Sequence, residues 1–340
     1  MNSDCKPIPE IFSGEQSPWT PDILGNGFEK KYIVQPDDYS GAVCCTIVRL
    51  KAPVEAGKAD PEPKPGKIGV LYVHGFSDYF FQADMARRFT EHGYDFYAVD
   101  LRKYGRSILS GQKKFQVRNL AEYFPDIKAA ITQMGIDGIT DIVLAGHSTG
   151  GLTCSLMMAT EVPIQVKALI LNSPFFDWNL PTAARRIGIP IISWLGRFLP
   201  TLPIHQPKNT EYARCLSNRY NGEWKYNQKW KPDCMPDVDA GWIRAIYTAQ
   251  KTLRNASPIE VPVLLLHSDR SVKKGAPSEE YMHGDAILDV DHISEAESYL
   301  GNNVTTVTVT GGMHDLALSR TQAREIFFRE IFLWLQGQFL

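Results

Sequence analysis

The sequence predicts an α/β chain, with a mostly parallel central sheet, helices on both of its faces and a further segment inserted between its strands. Three observations predict it. Short apolar runs alternate with helical stretches through most of the chain. One of these runs ends in Gly146-His-Ser-Thr-Gly150 and passes straight into a helical pattern. The alternation lapses between Phe176 and Ser257, a stretch too long for a structureless loop in a compact chain.

Two β-rich pieces come first, Lys31–Val34 and Ala42–Leu50, the second with Val43, Cys45, Ile47 and Val48 at strand-like positions. The Pro-, Lys- and Glu-rich stretch Pro53–Lys67 reads as an exposed loop. Buried parallel strands are then predicted at Ile68–Val73, Phe96–Val99, Ile142–Ala145, Ala168–Leu171, Val263–Leu266 and Val304–Val309, because each is a short continuous apolar or β-branched run. The clearest helix carries Leu120, Phe124, Ile127, Ile131 and Met134 on one stripe. Asn119 and Glu122 stand at capping-box spacing, and Pro125 marks a kink or a later true start. The last helix is expected over about Thr321–Gln336. Strands alternating with helices require a mostly parallel sheet covered on both sides. Residues 1–175 and 258–340 then form the core, and 176–257 form an inserted cap holding five of the seven tryptophans: Trp178, Trp194, Trp224, Trp230 and Trp242.

Composition narrows the function classes. A net charge of -2 supplies no basic footprint for nucleic acid and no polybasic patch for anionic lipid. Met1–Trp19 has no apolar core of signal-peptide length. Ile187–Ile204, the most apolar stretch, is broken by Pro190, Arg197, Pro200 and Pro203, so no transmembrane segment is expected. Cys5, Cys44, Cys45, Cys154, Cys215 and Cys234 are scattered without metal-ligand spacing and read as reduced thiols. A cytoplasmic location is the matching expectation.

The stretch Ile142–Gly151 carries the chemistry. A buried strand, then Gly-His-Ser-Thr-Gly, then a helix opening with Leu152, Leu156 and Met157, is the context in which a serine is held on a sharp turn as a nucleophile. Gly146 and Gly150 remove the side chains that would crowd Ser148, and the helix N-terminus aims free N–H groups at developing negative charge. A serine hydroxyl needs a base. Of eight histidines, only His314, in Gly311-Gly-Met-His-Asp-Leu316, follows a strand and precedes the last helix. An oxyanion needs two backbone donors. Thr149, after the serine, supplies one; Phe76, in the loop His74-Gly-Phe-Ser-Asp78, is expected to supply the other.

Four motifs now stand in order: Tyr72-Val-His-Gly-Phe-Ser77, Asp100-Leu-Arg-Lys-Tyr-Gly-Arg-Ser107, Ala145-Gly-His-Ser-Thr-Gly-Gly151 and Gly311-Gly-Met-His-Asp315. Over roughly Ile68–Pro174 and from Val261 to the C-terminus, the chain resembles the monoacylglycerol lipase and lysophospholipase branch of the α/β hydrolases. The resemblance implies an α/β-hydrolase fold with a cap. It also departs from the family, since Lys103 and Tyr104 stand where the family loop has Gly and His, and the cap sequence is not close to that of monoglyceride lipases. Two acids compete to orient His314. Spacing favours Asp269, close after the strand Val263–Leu266. Ser268–Gly284, with Lys273, Lys274, Gly275 and Pro277, looks like an insertion, and its removal brings Asp285 to the position of the family's acid. The resemblance therefore implies Asp285, with Asp289 and Asp291 as helix N-terminal residues.

The expected function is hydrolysis of a carboxylic ester with an apolar acyl group through an acyl-enzyme on Ser148, without metal or organic cofactor. The partner is a small-molecule ester or lipid, and the cap is compatible with transient contact with a lipid surface. Cap aromatics with Ile189, Ile191, Ile192, Leu195, Phe198 and Leu199 are candidates for an apolar pocket wall, and equally for the cap's own core. Trp194 and Phe198 are expected to set chain-length preference. Three alternatives stand beside this reading. A peptidase of the same fold would hold a free amino terminus with Glu211, Glu223, Asp233, Asp237 or Asp239; the others are an acyltransferase and a non-catalytic receptor, which has no need of Ser148 and His314.

Overall fold

The computed structural model describes residues 17–53, 66–206 and 208–339. Most of Met1–Trp19, most of the loop Pro53–Lys67, and Cys5 lie outside the described residues. In chain order the elements are β1 (Thr20–Pro21), β2 (Glu29–Asp38), β3 (Gly41–Leu50), β4 (Ile68–Val73), α1 (Ala83–Glu91), β5 (Asp95–Asp100), α2 (Phe124–Ile136), β6 (Asp141–His147), α3 (Thr149–Thr160) and β7 (Val166–Asn172). An inserted helical region follows, with α4 (Ile189–Gly196), β8 (Pro203–Ile204), α5 (Glu211–Leu216), β9 (Val238–Asp239) and α6 (Ala240–Arg254). The chain ends with β10 (Val263–Ser268), α7 (Val290–Ser294), α8 (Glu297–Leu300), β11 (Val304–Val309) and α9 (Thr321–Phe339).

Nine strands form one sheet in the order β1-β2-β3-β5-β4-β6-β7-β10-β11. The pairings from β1 through β3 to β5 are antiparallel, and every later one is parallel. Each predicted strand lies within an observed one. Side chains alternate across the sheet, as the two-residue period of a strand requires. On β4, Leu71 and Val73 join Ile127, Ile131 and Met134 of α2 and Leu152 of α3 on one face. Val70 and Tyr72 join Phe89 of α1 and Phe327 and Phe328 of α9 on the other. Burial on both faces explains why the central strands are apolar throughout rather than alternating.

The start of α2 repays attention to its sequence. The capping box forms, with the Asn119 side chain accepting from Ala121 N–H at 3.0 Å and Glu122 accepting from Asn119 N–H at 3.0 Å. It closes a 3₁₀ turn over Leu120–Tyr123, and the α-helix begins only with Phe124 and Pro125. Pro is tolerated there because the first N–H groups of a helix have no partner within it. The last helix runs to Phe339, beyond the expected Gln336.

In the inserted region α4 crosses α6 closely. A Cβ on Gly196 would collide with the carbonyl of Ala240, so only glycine allows the approach. Ile243, Ile246, Ala249 and Leu253 of α6 are buried in the same apolar cluster as Leu152 of α3, which seats the region on the sheet's own helices. No helix among the described residues is long and apolar enough to cross a membrane.

Strand register places the site. Val73 of β4 is level with Gly146 of β6, His147 with Asn172 of β7, and Ser268 of β10 with Val309 of β11. The loops that follow these strands thus leave one carboxyl edge, where α/β sheets bind ligands.

Candidate active site

Ser148 occupies the turn between β6 and α3 with φ +53° and ψ −118°, a conformation costly for a residue with a side chain. Neighbours hold it there: Ser148 N–H donates to Asn172 O at 3.1 Å, and Ser148 O accepts from Phe175 N–H at 3.0 Å. The glycines are steric necessities. A Cβ on Gly146 would lie 2.8 Å from the Gly150 carbonyl oxygen, and one on Gly150 would run into the carbonyl oxygens of Val73 and His74.

His314 follows β11 and points its Nε2 at Ser148 Oγ, 3.1 Å away. Its Nδ1 lies 2.9 Å from Asp285 Oδ2. A carboxylate accepts only, so Nδ1 carries the proton and Nε2 is left to accept from the serine hydroxyl. Asp285 is fully buried, and its other oxygen, Oδ1, accepts from the N–H groups of Ile287 and Leu288, both at 2.8 Å. The backbone of Asp285 pairs with residues 270–272: Asp285 N–H donates to Arg270 O and Val272 N–H to Asp285 O. The insertion-like segment thus folds back onto the strand end. Asp269 sits elsewhere. It is exposed, and its Oδ1 accepts from Gly311 N–H at 2.8 Å, tying β10 to the turn after β11.

The loop after β4 touches the nucleophile turn at Gly75, where a Cβ would stand 3.1 Å from both Ser148 Cβ and His147 Nδ1. This contact brings Phe76 beside Ser148, with Thr149 at the first position of α3. His74 braces the loop, its Nδ1–H donating to Gly75 O at 2.8 Å and its Nε2 accepting from Leu101 N–H at 3.1 Å. Burial holds its pKa below the usual value, in keeping with a neutral ring in this role. The two departures from the family loop face inward. Lys103 is fully buried in an ion pair with Asp38 at 2.6 Å, and the Tyr104 ring packs 4.8 Å from that of His74.

Three supporting residues escaped the sequence reading. Asp315 is buried; its Oδ1 accepts from Asn172 Nδ2 at 2.8 Å and from Ala317 N–H at 3.1 Å, and its Oδ2 from Gln82 Nε2 at 3.2 Å. Asn172 Oδ1 accepts in turn from Leu316 N–H at 3.2 Å. The loop of His314 is therefore clamped to the end of β7 and to the start of α1. A polar Asn closing the apolar run Ala168–Leu171 was the signal that could have found it.

His147 is buried beside His314, with rings 4.9 Å apart, and among the described residues neither ring nitrogen has a hydrogen-bond partner. Burial, with the neighbouring His314 adding to it, pushes its pKa well below the usual range. It stays neutral and does not compete for the proton. Asp78, His147 and Asp315 have ligand-type atoms within 4.8 Å of one another. The carboxylates are already engaged, Asp78 with Lys231 at 3.0 Å and Asp315 with Asn172 and Gln82, so the cluster is read as an internal polar network and not as a metal centre.

The cap aromatics divide sharply. Trp242 packs 4.6 Å from Phe76 and 5.9 Å from Trp178, and Phe115 lies 5.6 Å from Phe76. Trp194 and Phe198 instead point outward, 61% and 62% exposed. This exposure runs against the expectation that they wall the acyl site. They lie on the solvent side of α4 and the turn after it, while Ile189 and Ser193 face inward. The cap acids all have partners. Glu211 accepts from Ser278, Glu223 pairs with Arg320 and Arg324, Asp233 accepts from Gln228, Asp237 pairs with His205 and Asp239 with Lys113.

Fold and site together define the class, a serine hydrolase of the α/β-hydrolase fold. The chain belongs to the family described as serine aminopeptidase, S33, whose model matches residues 64–282. That match includes Ser148 and ends before Asp285 and His314. Solved structures of similar fold include a soluble variant of monoglyceride lipase from Saccharomyces cerevisiae in complex with a substrate analogue, 15% identical over 91% of this chain and 95% of that one, with a TM-score of 0.65. A monoacylglycerol lipase from Paleococcus ferrophilus is 20% identical over 79% and 94%, with a TM-score of 0.59. Est1E from Butyrivibrio proteoclasticus with ferulic acid bound is 20% identical over 87% and 96%, with a TM-score of 0.53. No curated protein matches the chain significantly.

Proposed function

We propose that the chain hydrolyses carboxylic esters with an apolar acyl group. Ser148 Oγ attacks the ester carbonyl carbon as His314 Nε2 takes its proton, and Asp285 stabilises the imidazolium so formed. The N–H groups of Phe76 and Thr149 hold the oxyanion. Collapse breaks the bond to the alcohol, which leaves with the proton from His314. Water then attacks the acyl-enzyme by the same route and releases the acid. The observation that carries this reading is the continuous hydrogen-bonded chain from Ser148 Oγ through His314 to the buried Asp285.

The apolar acyl preference rests on Phe115, Trp178 and Trp242 grouped about Phe76, the residue next to Gly75, which touches the serine turn. The monoglyceride and monoacylglycerol lipase names among the similar folds point the same way. An aminopeptidase, as the family description has it, needs a carboxylate free to hold an ammonium group; Glu223 and Asp239 already face Arg320 and Lys113, while Glu211 and Asp233 accept from the neutral Ser278 and Gln228, and an arylamide substrate separates the two readings. The outward face with Ile191, Trp194 and Phe198 suits contact with a lipid surface that presents the substrate.

A fluorophosphonate probe followed by peptide mapping, with p-nitrophenyl esters of graded length and an aminoacyl arylamide, tests the proposal. Labelling of Ser148, lost in Ser148→Ala, with ester turnover rising with chain length, is expected. An unlabelled folded protein would sink it, and faster cleavage of the arylamide would make the chain a peptidase.

A further inference from the structure

The inserted region does not only roof the site. Its segment 212–231 is fastened to both loops that carry the proposed chemistry. On one side Lys231 Nζ reaches Asp78 Oδ1 at 3.0 Å, and the carboxylate is 1% exposed. Asp78 lies two residues past Phe76, in the loop whose backbone must aim an N–H at the oxyanion. Asn227 N–H donates to the Tyr79 hydroxyl at 2.8 Å, and the Trp230 ring packs edge-on to Tyr79 at 5.1 Å. On the other side the Tyr212 hydroxyl accepts from Asp315 N–H at 3.0 Å, one residue beyond His314, and the Tyr212 ring stands edge-on to His314 at 6.1 Å.

We propose that Lys231 and Tyr212 are positioning residues, through which the cap holds the oxyanion loop and the base loop at their working separation from Ser148. The inference rests on the hydrolase reading above. The physics is that of a buried carboxylate with one charged partner. Among the described residues Asp78 Oδ2 has no hydrogen-bond partner and lies 4.0 Å from the neutral His147, and Lys231 is the one lysine or arginine paired with the carboxylate. Without the lysine, the carboxylate must take up a proton or turn toward water, and either response moves residues 76–78. A displacement of about 1 Å in a group that stabilises a transition state costs on the order of 100-fold in rate. Substrate binding is less affected for a short ester, whose acyl part hardly reaches Trp178 and Trp242.

The test measures kcat and KM on p-nitrophenyl acetate, with sites titrated by the fluorophosphonate so that rates refer to folded enzyme. Lys231→Met is expected to lower kcat by about tenfold or more, with KM within about twofold, and Lys231→Arg to restore most of the loss. Asp78→Asn should do the same, and the Lys231→Met/Asp78→Asn pair should be no worse than the poorer single variant, because both remove one bond. If Lys231→Met does not fold, the double variant, which leaves neither charge of the pair behind, carries the comparison with Asp78→Asn, which leaves the partly exposed Lys231 without its carboxylate. Tyr212→Phe should lower kcat by about threefold to tenfold without raising KM. Titrated sites turning over at the wild-type rate in these variants, or losses that simply multiply in the double variant, would overturn the proposal. Failure of the wild-type protein to label at Ser148 would instead overturn the hydrolase reading.

Discussion

Asp269 and Asp285 show how little separates a supporting acid from the one proposed to orient the base at the level of residue type. Both follow β10 and both accept backbone N–H groups, yet only Asp285 faces Nδ1 of His314. An amide at position 285 would hold the ring in the wrong tautomer and fail to stabilise the imidazolium. We expect Asp285→Asn to lose on the order of 10⁴ in kcat with the fold retained. Asp269→Asn keeps an oxygen that can accept from Gly311 N–H and should stay within about tenfold of wild type. Steady-state kinetics on one ester decides between them, and the reverse ranking would remove Asp285 from the mechanism.

At the scale of the element, α4 and α6 divide the work of the cap. Trp242, in α6, is 6% exposed and packs against Phe76, whereas Trp194, in α4, is directed to solvent. Trp242→Ala should therefore change kcat/KM for long esters more than for acetate, by about 1–3 kcal/mol for each methylene whose contact is lost. Trp194→Ala with Phe198→Ala should leave soluble esters unaffected and reduce co-sedimentation with lipid vesicles. Equal effects of Trp242→Ala on short and long esters would make Trp242 a packing residue of the cap and nothing more.

The whole molecule is tied together at Arg106, within the Asp100–Ser107 motif. Its guanidinium is bidentate to Asp22, with bonds of 2.7 and 2.8 Å, and reaches Asp100 at 2.8 Å and the Phe80 carbonyl at 2.9 Å. The segment before β2, the end of β5 and the loop leading into α1 thus share one buried cation. Removing it leaves two buried carboxylates unpaired, so Arg106→Met should cost about 3–5 kcal/mol in chemical denaturation. The same network sets a pH dependence. Burial alone would raise the pKa of Asp22, but its bonds to Arg106 and that residue's charge outweigh it and hold the carboxyl below the usual carboxylate range. A group depressed on folding stabilises the protein above its unfolded pKa, and that contribution is lost as pH falls through the lower folded value. The wild-type protein should lose stability from about pH 4 downward, and Asp22→Asn should flatten that slope. An unchanged slope would show that Asp22 contributes nothing to it.

Much of this was legible in the sequence because it is local. The alternation of apolar runs and helical stripes follows from burial of both sheet faces, and Gly146, Ser148 and Gly150 mark a turn whose geometry depends on a few consecutive residues. His314 was identified by its place after the last strand. Other features depended on contacts between distant segments. Spacing alone pointed to Asp269 while the family resemblance implied Asp285, and the pairing of residues 270–272 with Asp285 shows how the intervening segment folds away and brings that acid to His314. Asn172, Gln82 and Asp315 became a clamp only once β7, α1 and the loop after β11 converged. Tryptophan content marked out the cap, but not which rings turn inward. Orientation on a helix is settled by what packs against it, and here the close approach of Gly196 to Ala240 fixes which side of α4 faces α6, leaving Trp194 in solvent while Trp242 packs on Phe76.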